Sequence, residues 1–71
     1  MKSRLDANRE IITLLTKAVE AYPDWRFTQL LQNLSINVRA NDVFAIEDRF
    51  YEESNETLDR VNQVMQNLKI N

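Results

Sequence analysis

The chain has 71 residues, 31 of them apolar, enough for one small domain that hides only about 60% of the surface its unfolded form exposes. It contains no cysteine, histidine or glycine. That composition excludes thiol nucleophiles, disulfides, Cys/His metal sites and glycine loops that cradle phosphate, and it leaves no side chain that ordinarily titrates near neutrality. The expectation is a non-enzymatic protein with no catalytic residue, cofactor or metal.

Net charge is −2 and unevenly spread: residues 1–40 carry six basic and four acidic side chains, residues 41–71 three and seven. Neither half has the strong positive field of a nucleic-acid binder, so nucleic acid is disfavoured as a partner. No uninterrupted apolar run approaches the length of a membrane span. No apolar h-region follows Lys2-Ser3-Arg4, so a membrane is not expected and the expected location is the cytoplasm.

Ile11, Leu15, Ala18 and Tyr22 recur at helical spacing, with Ile12, Leu14 and Val19 widening the stripe. The pattern predicts a helix over 4–21. Ser3 or Asp6 can cap its start, and Pro23 stops it near Ala21 by disfavouring helical geometry in the residue before it. A second helix is predicted over 24–35, because proline and aspartate suit a first turn and Phe27, Leu30, Leu31 and Leu34 then repeat at i, i+3, i+4 and i+7. With no glycine in the chain, Asn33 or Asn37 is the expected left-handed residue at its end.

Residues 35–46 lack a helical pattern and read as an ordered loop pinned by Phe44 and Ile46, with room for one or two very short strands. Phe27, Phe44 and Phe50 are expected in the core. Tyr51, Ser54, Leu58, Val61, Met65 and Leu68 then step by three and four, a heptad-like seam that predicts one helix over 48–69, although Ser54 or Asn55 can equally mark a later start. The fold class is therefore all-α: one domain over 1–71, with three helices around a single core.

Three features bear on function. Glu52, Glu56 and Asp59 fall at i, i+4 and i+7 and on a continuous helix share one face. Converging carboxylates can hold a hard cation, but no twelve-residue calcium loop or Glu-x-x-His pattern is present. The acids read instead as a solvated face, or as a docking surface for a basic partner. Trp25 beside Arg26 pairs two residue types common at interface hot spots, the alternative being that Trp25 covers the edge of the core. Thirdly, the seam at Val61, Met65 and Leu68 is long enough to leave apolar surface uncovered in a monomer, which points to a homodimer. Glu56 and Arg60, at i and i+4, are then expected to pair along the helix and leave that seam apolar.

The run Tyr22-Pro23-Asp24-Trp25-Arg26-Phe27-Thr28-Gln29-Leu30-Leu31-Gln32-Asn33-Leu34, followed by Asp42-Val43-Phe44-Ala45-Ile46-Glu47-Asp48, resembles a group of small, uncharacterised bacterial and phage-associated proteins of about this length. Those proteins often carry glycine where Thr28 stands and tend to end soon after the Glu-Asp pair, whereas this chain continues for 23 residues. The resemblance implies a small cytosolic protein carried by a mobile element, and it transfers no activity to any residue. Independently of it, Arg26 is within reach of Glu47 or Asp48 brought back by the loop, a pair that would sit over Phe27 and Phe44 and fix how the loop docks. The functional expectation is a protein-binding module, an inhibitor or adaptor acting on a host protein. The alternative is a small DNA-binding or transcription accessory protein with its cations in the N-terminal half.

Overall fold

The computed structural model describes residues 2–36 and 50–69. Three helices carry the architecture: α1 (Arg4–Ala21), α2 (Phe27–Asn33) and α3 (Ser54–Asn67). No strand occurs among the described residues. The loop expected over 35–46, with its anchors Phe44 and Ile46 and the acidic pair Glu47 and Asp48, lies almost wholly outside them.

Helix α1 begins and ends as its sequence dictates. The Ser3 hydroxyl accepts the Asp6 N–H at 3.1 Å, satisfying one donor that a helix start leaves unpaired. At the other end the Tyr22 N–H reaches the Ala18 carbonyl at 2.9 Å. Tyr22 itself leaves the helical region, at φ −130° and ψ 68°, as the following proline requires.

Helix α2 starts three residues later than expected. The Trp25 N–H closes a turn onto the Tyr22 carbonyl at 3.1 Å, and the Tyr22 and Trp25 rings stack with centroids 4.1 Å apart and planes within 6°. Residues 23–25 are thereby held in a turn and unavailable to a helix. Arg26, extended at φ −70° and ψ 153°, caps α2 in their place, and its N–H donates to the Gln29 side-chain oxygen at 3.0 Å.

The left-handed residue closing α2 is Ser35 (φ 62°), neither Asn33 nor Asn37. The Ser35 N–H bonds the Gln32 carbonyl at 3.0 Å and the Ile36 N–H bonds the Leu31 carbonyl at 2.9 Å. These are the two bonds of a Schellman motif. Asn33 is still in the last helical turn, so the geometry places the left-handed position two residues beyond it, whatever residue stands there. Helix α3 ends similarly on Lys69 (φ 59°), whose N–H reaches the Gln66 carbonyl at 3.0 Å.

A single helix over 48–69 does not form. Phe50 and Tyr51 are helical, Glu52 and Glu53 are not, and a new helix starts at Ser54 with Glu53 as its extended N-cap. Helices α1 and α3 pack side by side in the same direction. Arg4 donates to both Glu53 carboxylate oxygens, at 2.8 and 3.0 Å, and the Asn55 amide donates to the Lys2 carbonyl at 2.9 Å, joining the two N-terminal ends. Toward the other ends, Ala18 of α1, Val61 and Met65 of α3, Leu30 of α2 and Leu34 at the α2 C-cap form the buried core. Leu14, Leu15, Trp25, Ile36, Val64 and Leu68 close around it. Ala18 and Ala7, both without exposed surface, keep α1 thin where its neighbours approach.

Phe27 and Phe50, expected inside, are exposed. Phe27 is the first residue of a seven-residue helix, so its side chain overhangs the end of the core, and Trp25 packs against the cluster from that side. Phe50 precedes the break and is carried away from the α3 seam. Leu34→Ala, which opens a cavity at a residue without exposed surface, is expected to cost about 2–4 kcal/mol. Phe27→Ala, on the same stripe of the sequence, is expected to cost less than about 1 kcal/mol. Urea titrations of the two variants followed by circular dichroism measure the contrast.

Candidate functional site

Among the described residues, the most connected polar group stands at the break before α3. Arg60 projects from the second turn of α3 and holds Glu52 through both ends of its guanidinium. One N–H group donates to Oε2 at 2.7 Å, and the other forms a closer ion pair with Oε1. The Thr57 hydroxyl donates to Oε1 at 2.7 Å. The remaining guanidinium donor, Nε, reaches the Ser35 carbonyl at 3.1 Å. One side chain therefore ties the segment before α3 to the residue that closes α2. The pair is largely enclosed, with side-chain exposures of 24% for Arg60 and 11% for Glu52.

This geometry explains the broken helix. On an unbroken helix Glu52 and Arg60, eight residues apart, would be separated by about 12 Å along the axis. Extending the backbone at Glu53 turns the chain and brings the Glu52 carboxylate back to Arg60. The pairing expected between Glu56 and Arg60 is accordingly replaced by Glu52–Arg60.

The predicted acidic face is thereby divided. Glu52 faces inward to Arg60 and Thr57, while Glu56 and Asp59 stay on α3 as exposed residues. The three carboxylates do not converge, and among the described residues no group of three or more His, Cys, Asp or Glu side chains is arranged to hold a metal ion. Trp25 is half-buried on the core edge, stacked on Tyr22, and Arg26 is exposed at the α2 cap. The proposed seam is spent within the chain: Val61 and Met65 are core residues and Leu68 is half-buried against them. A dimer built on those side chains would have to unpack the core first.

The uncovered apolar surface lies elsewhere. Leu5, Ile12 and Val19 are exposed along α1, as are Phe27 at the start of α2 and the neighbours Phe50 and Tyr51. The Phe50 and Tyr51 rings meet edge to face with centroids 5.0 Å apart, which holds both in one orientation while both face solvent. The α1 stripe was available to sequence reading, since 5, 12 and 19 are seven apart, but it merges there with the inward stripe through half-buried Ile11 and Leu15 and buried Ala18. The Phe50–Tyr51 pair was hidden by the assumption that its helix was continuous.

No described helix is long and apolar enough to cross a membrane. Compared with protein-family models, curated proteins and solved structures, the chain matches none.

Two stability changes test the site. Ser35→Gly removes the penalty of a side chain in left-handed geometry and keeps the carbonyl that Arg60 uses. It is expected to stabilise the domain by about 0.5–1 kcal/mol. Arg60→Met leaves the Glu52 carboxylate enclosed without its cation and is expected to cost about 1–3 kcal/mol. A thermal-melt cycle with Glu52→Gln is expected to show a coupling of about 1–2 kcal/mol, and additive effects would exclude the pair as a structural unit.

Proposed function

We propose that this protein is a non-enzymatic protein-binding module that docks a partner protein through exposed apolar side chains. One observation carries the reading: six large apolar residues, Leu5, Ile12, Val19, Phe27, Phe50 and Tyr51, face solvent while other residues fill the core. Apolar surface concentrated on a small domain marks interaction sites. Phe50 and Tyr51 are the strongest anchor, being aromatic, adjacent and braced against each other. Trp25 and Arg26, at the turn between α1 and α2, supply a second aromatic and cationic contact. Exposed Glu56 and Asp59 add negative charge that favours a partner with basic residues at the rim of the interface.

The absence of cysteine and histidine from the whole chain supports a binding role over a catalytic one. The resemblance of residues 22–48 to phage-associated proteins extends the proposal to an accessory protein, inhibitor or adaptor, acting on a host protein in the cytoplasm. The competing reading is a DNA-binding or transcription accessory protein. Its cations Arg4, Arg9, Lys17 and Arg26 are interleaved with Asp6, Glu10, Glu20 and Asp24, and Lys2 and Arg4 are engaged by Glu10 and Glu53, which weakens any field able to attract phosphate.

The test is capture from bacterial lysate on immobilised wild-type protein beside a folded Phe50→Glu/Tyr51→Glu variant. A protein retained by the wild type and lost from the variant is the expected result. Equal capture by both, or a gel shift with duplex DNA at low salt that falls steeply as salt rises, would overturn it.

A further inference from the structure

We propose that the outward face of α1 is a self-association surface, on which two copies of the chain pair antiparallel about Ile12. The proposal rests on the protein-binding reading and names the occupant of one of its surfaces. Leu5, Ile12 and Val19 are 57%, 61% and 48% exposed, and they are spaced seven residues apart, so they form a straight stripe about 21 Å long. The stripe is symmetric about its centre. Turned end to end, Ile12 meets Ile12 of the second copy and Leu5 meets Val19 of the second copy, which is the self-complementarity that a two-fold interface needs.

The polar residues beside the stripe select the direction. On the edge away from the core lie Arg9, Thr16 and Glu20, all exposed. In the antiparallel register Arg9 faces Thr16 of the second copy, and Glu20 of that copy lies on the same shared edge, about 7.5 Å along the axis from Arg9. Opposite charges therefore share an edge at both ends of the interface. A parallel pair would bring opposite edges of the stripe together and so separate Arg9 of one copy from Glu20 of the other.

Size sets the strength. Three apolar side chains and their polar flanks cover less than the roughly 800 Å² per partner of a standard stable interface. The dimer is accordingly a weak one, with a dissociation constant on the order of 10–100 μM.

The chain has no cysteine, so introduced thiols report without background. Under mild oxidation at 200 μM, Ile12→Cys is expected to cross-link to itself. Leu5→Cys is expected to stay single alone and to cross-link when mixed with Val19→Cys. Sedimentation equilibrium of the wild type is expected to show mass rising toward two chains between 10 and 300 μM, and Ile12→Glu is expected to remain one chain with an unchanged helical spectrum. A wild-type mass of one chain throughout, or self-cross-linking by Leu5→Cys, overturns the proposal. The Phe50→Glu/Tyr51→Glu variant, altered outside the α1 face, is expected to dimerise as the wild type does, so the two readings fail separately.

Discussion

The Arg60 guanidinium is the interaction on which the arrangement of the helices depends. It bonds the Glu52 carboxylate and the Ser35 carbonyl together, and so fixes where α2 stops and where α3 begins. Among the described residues there are few other long-range polar ties. Arg4 with Glu53 and Asn55 with the Lys2 carbonyl join the starts of α1 and α3, but Arg4 and Glu53 are solvent-exposed, where an ion pair is worth little. Arg60 works in a more enclosed site, where an unmet carboxylate or carbonyl is expensive. That asymmetry makes it a device for specifying one structure more than for adding net stability.

The apolar core is small and asymmetrically placed. Its cluster draws on Ala18, Leu30, Leu34, Val61 and Met65, so α2 and the later turns of α1 and α3 are packed by burial, while the start of α3 is held by its polar ties with Ala7 and Leu58 buried nearby. This division leaves one face of α1 and the Phe50–Tyr51 pair uncovered. The surface proposed for partner docking follows from how the core is filled: among the described residues, six large apolar side chains remain exposed beside the buried cluster.

Much of the fold was legible in the sequence. The α1 boundaries follow from Ser3 and Pro23, whose effects are local and need no knowledge of the rest of the chain. Leu30, Leu34, Val61 and Met65 likewise announce themselves by period. What was not legible depends on contacts distant in sequence. The break at Glu52 exists because of Arg60, eight residues on, and the heptad count through Tyr51 and Ser54 runs across it undisturbed. Ser35 takes left-handed geometry because the α2 ladder ends there and Ile36 packs against the core, although asparagine at 33 or 37 has the better intrinsic preference. The burial of the α3 seam was not legible for the same reason: a continuous last helix leaves that seam free, whereas the packing sets Val61, Met65 and Leu68 against α1 and α2.

Amide hydrogen exchange by NMR, compared between the wild type and Arg60→Met, tests the central role of Arg60 most directly. If Arg60 couples the end of α2 to the start of α3, the Ile36 amide, bonded to Leu31, and the Thr57 amide, bonded to Glu53, should lose protection together while the Tyr22 amide at the end of α1 keeps it. Protection unchanged at Ile36 and Thr57, or lost equally at all three amides, would contradict that role.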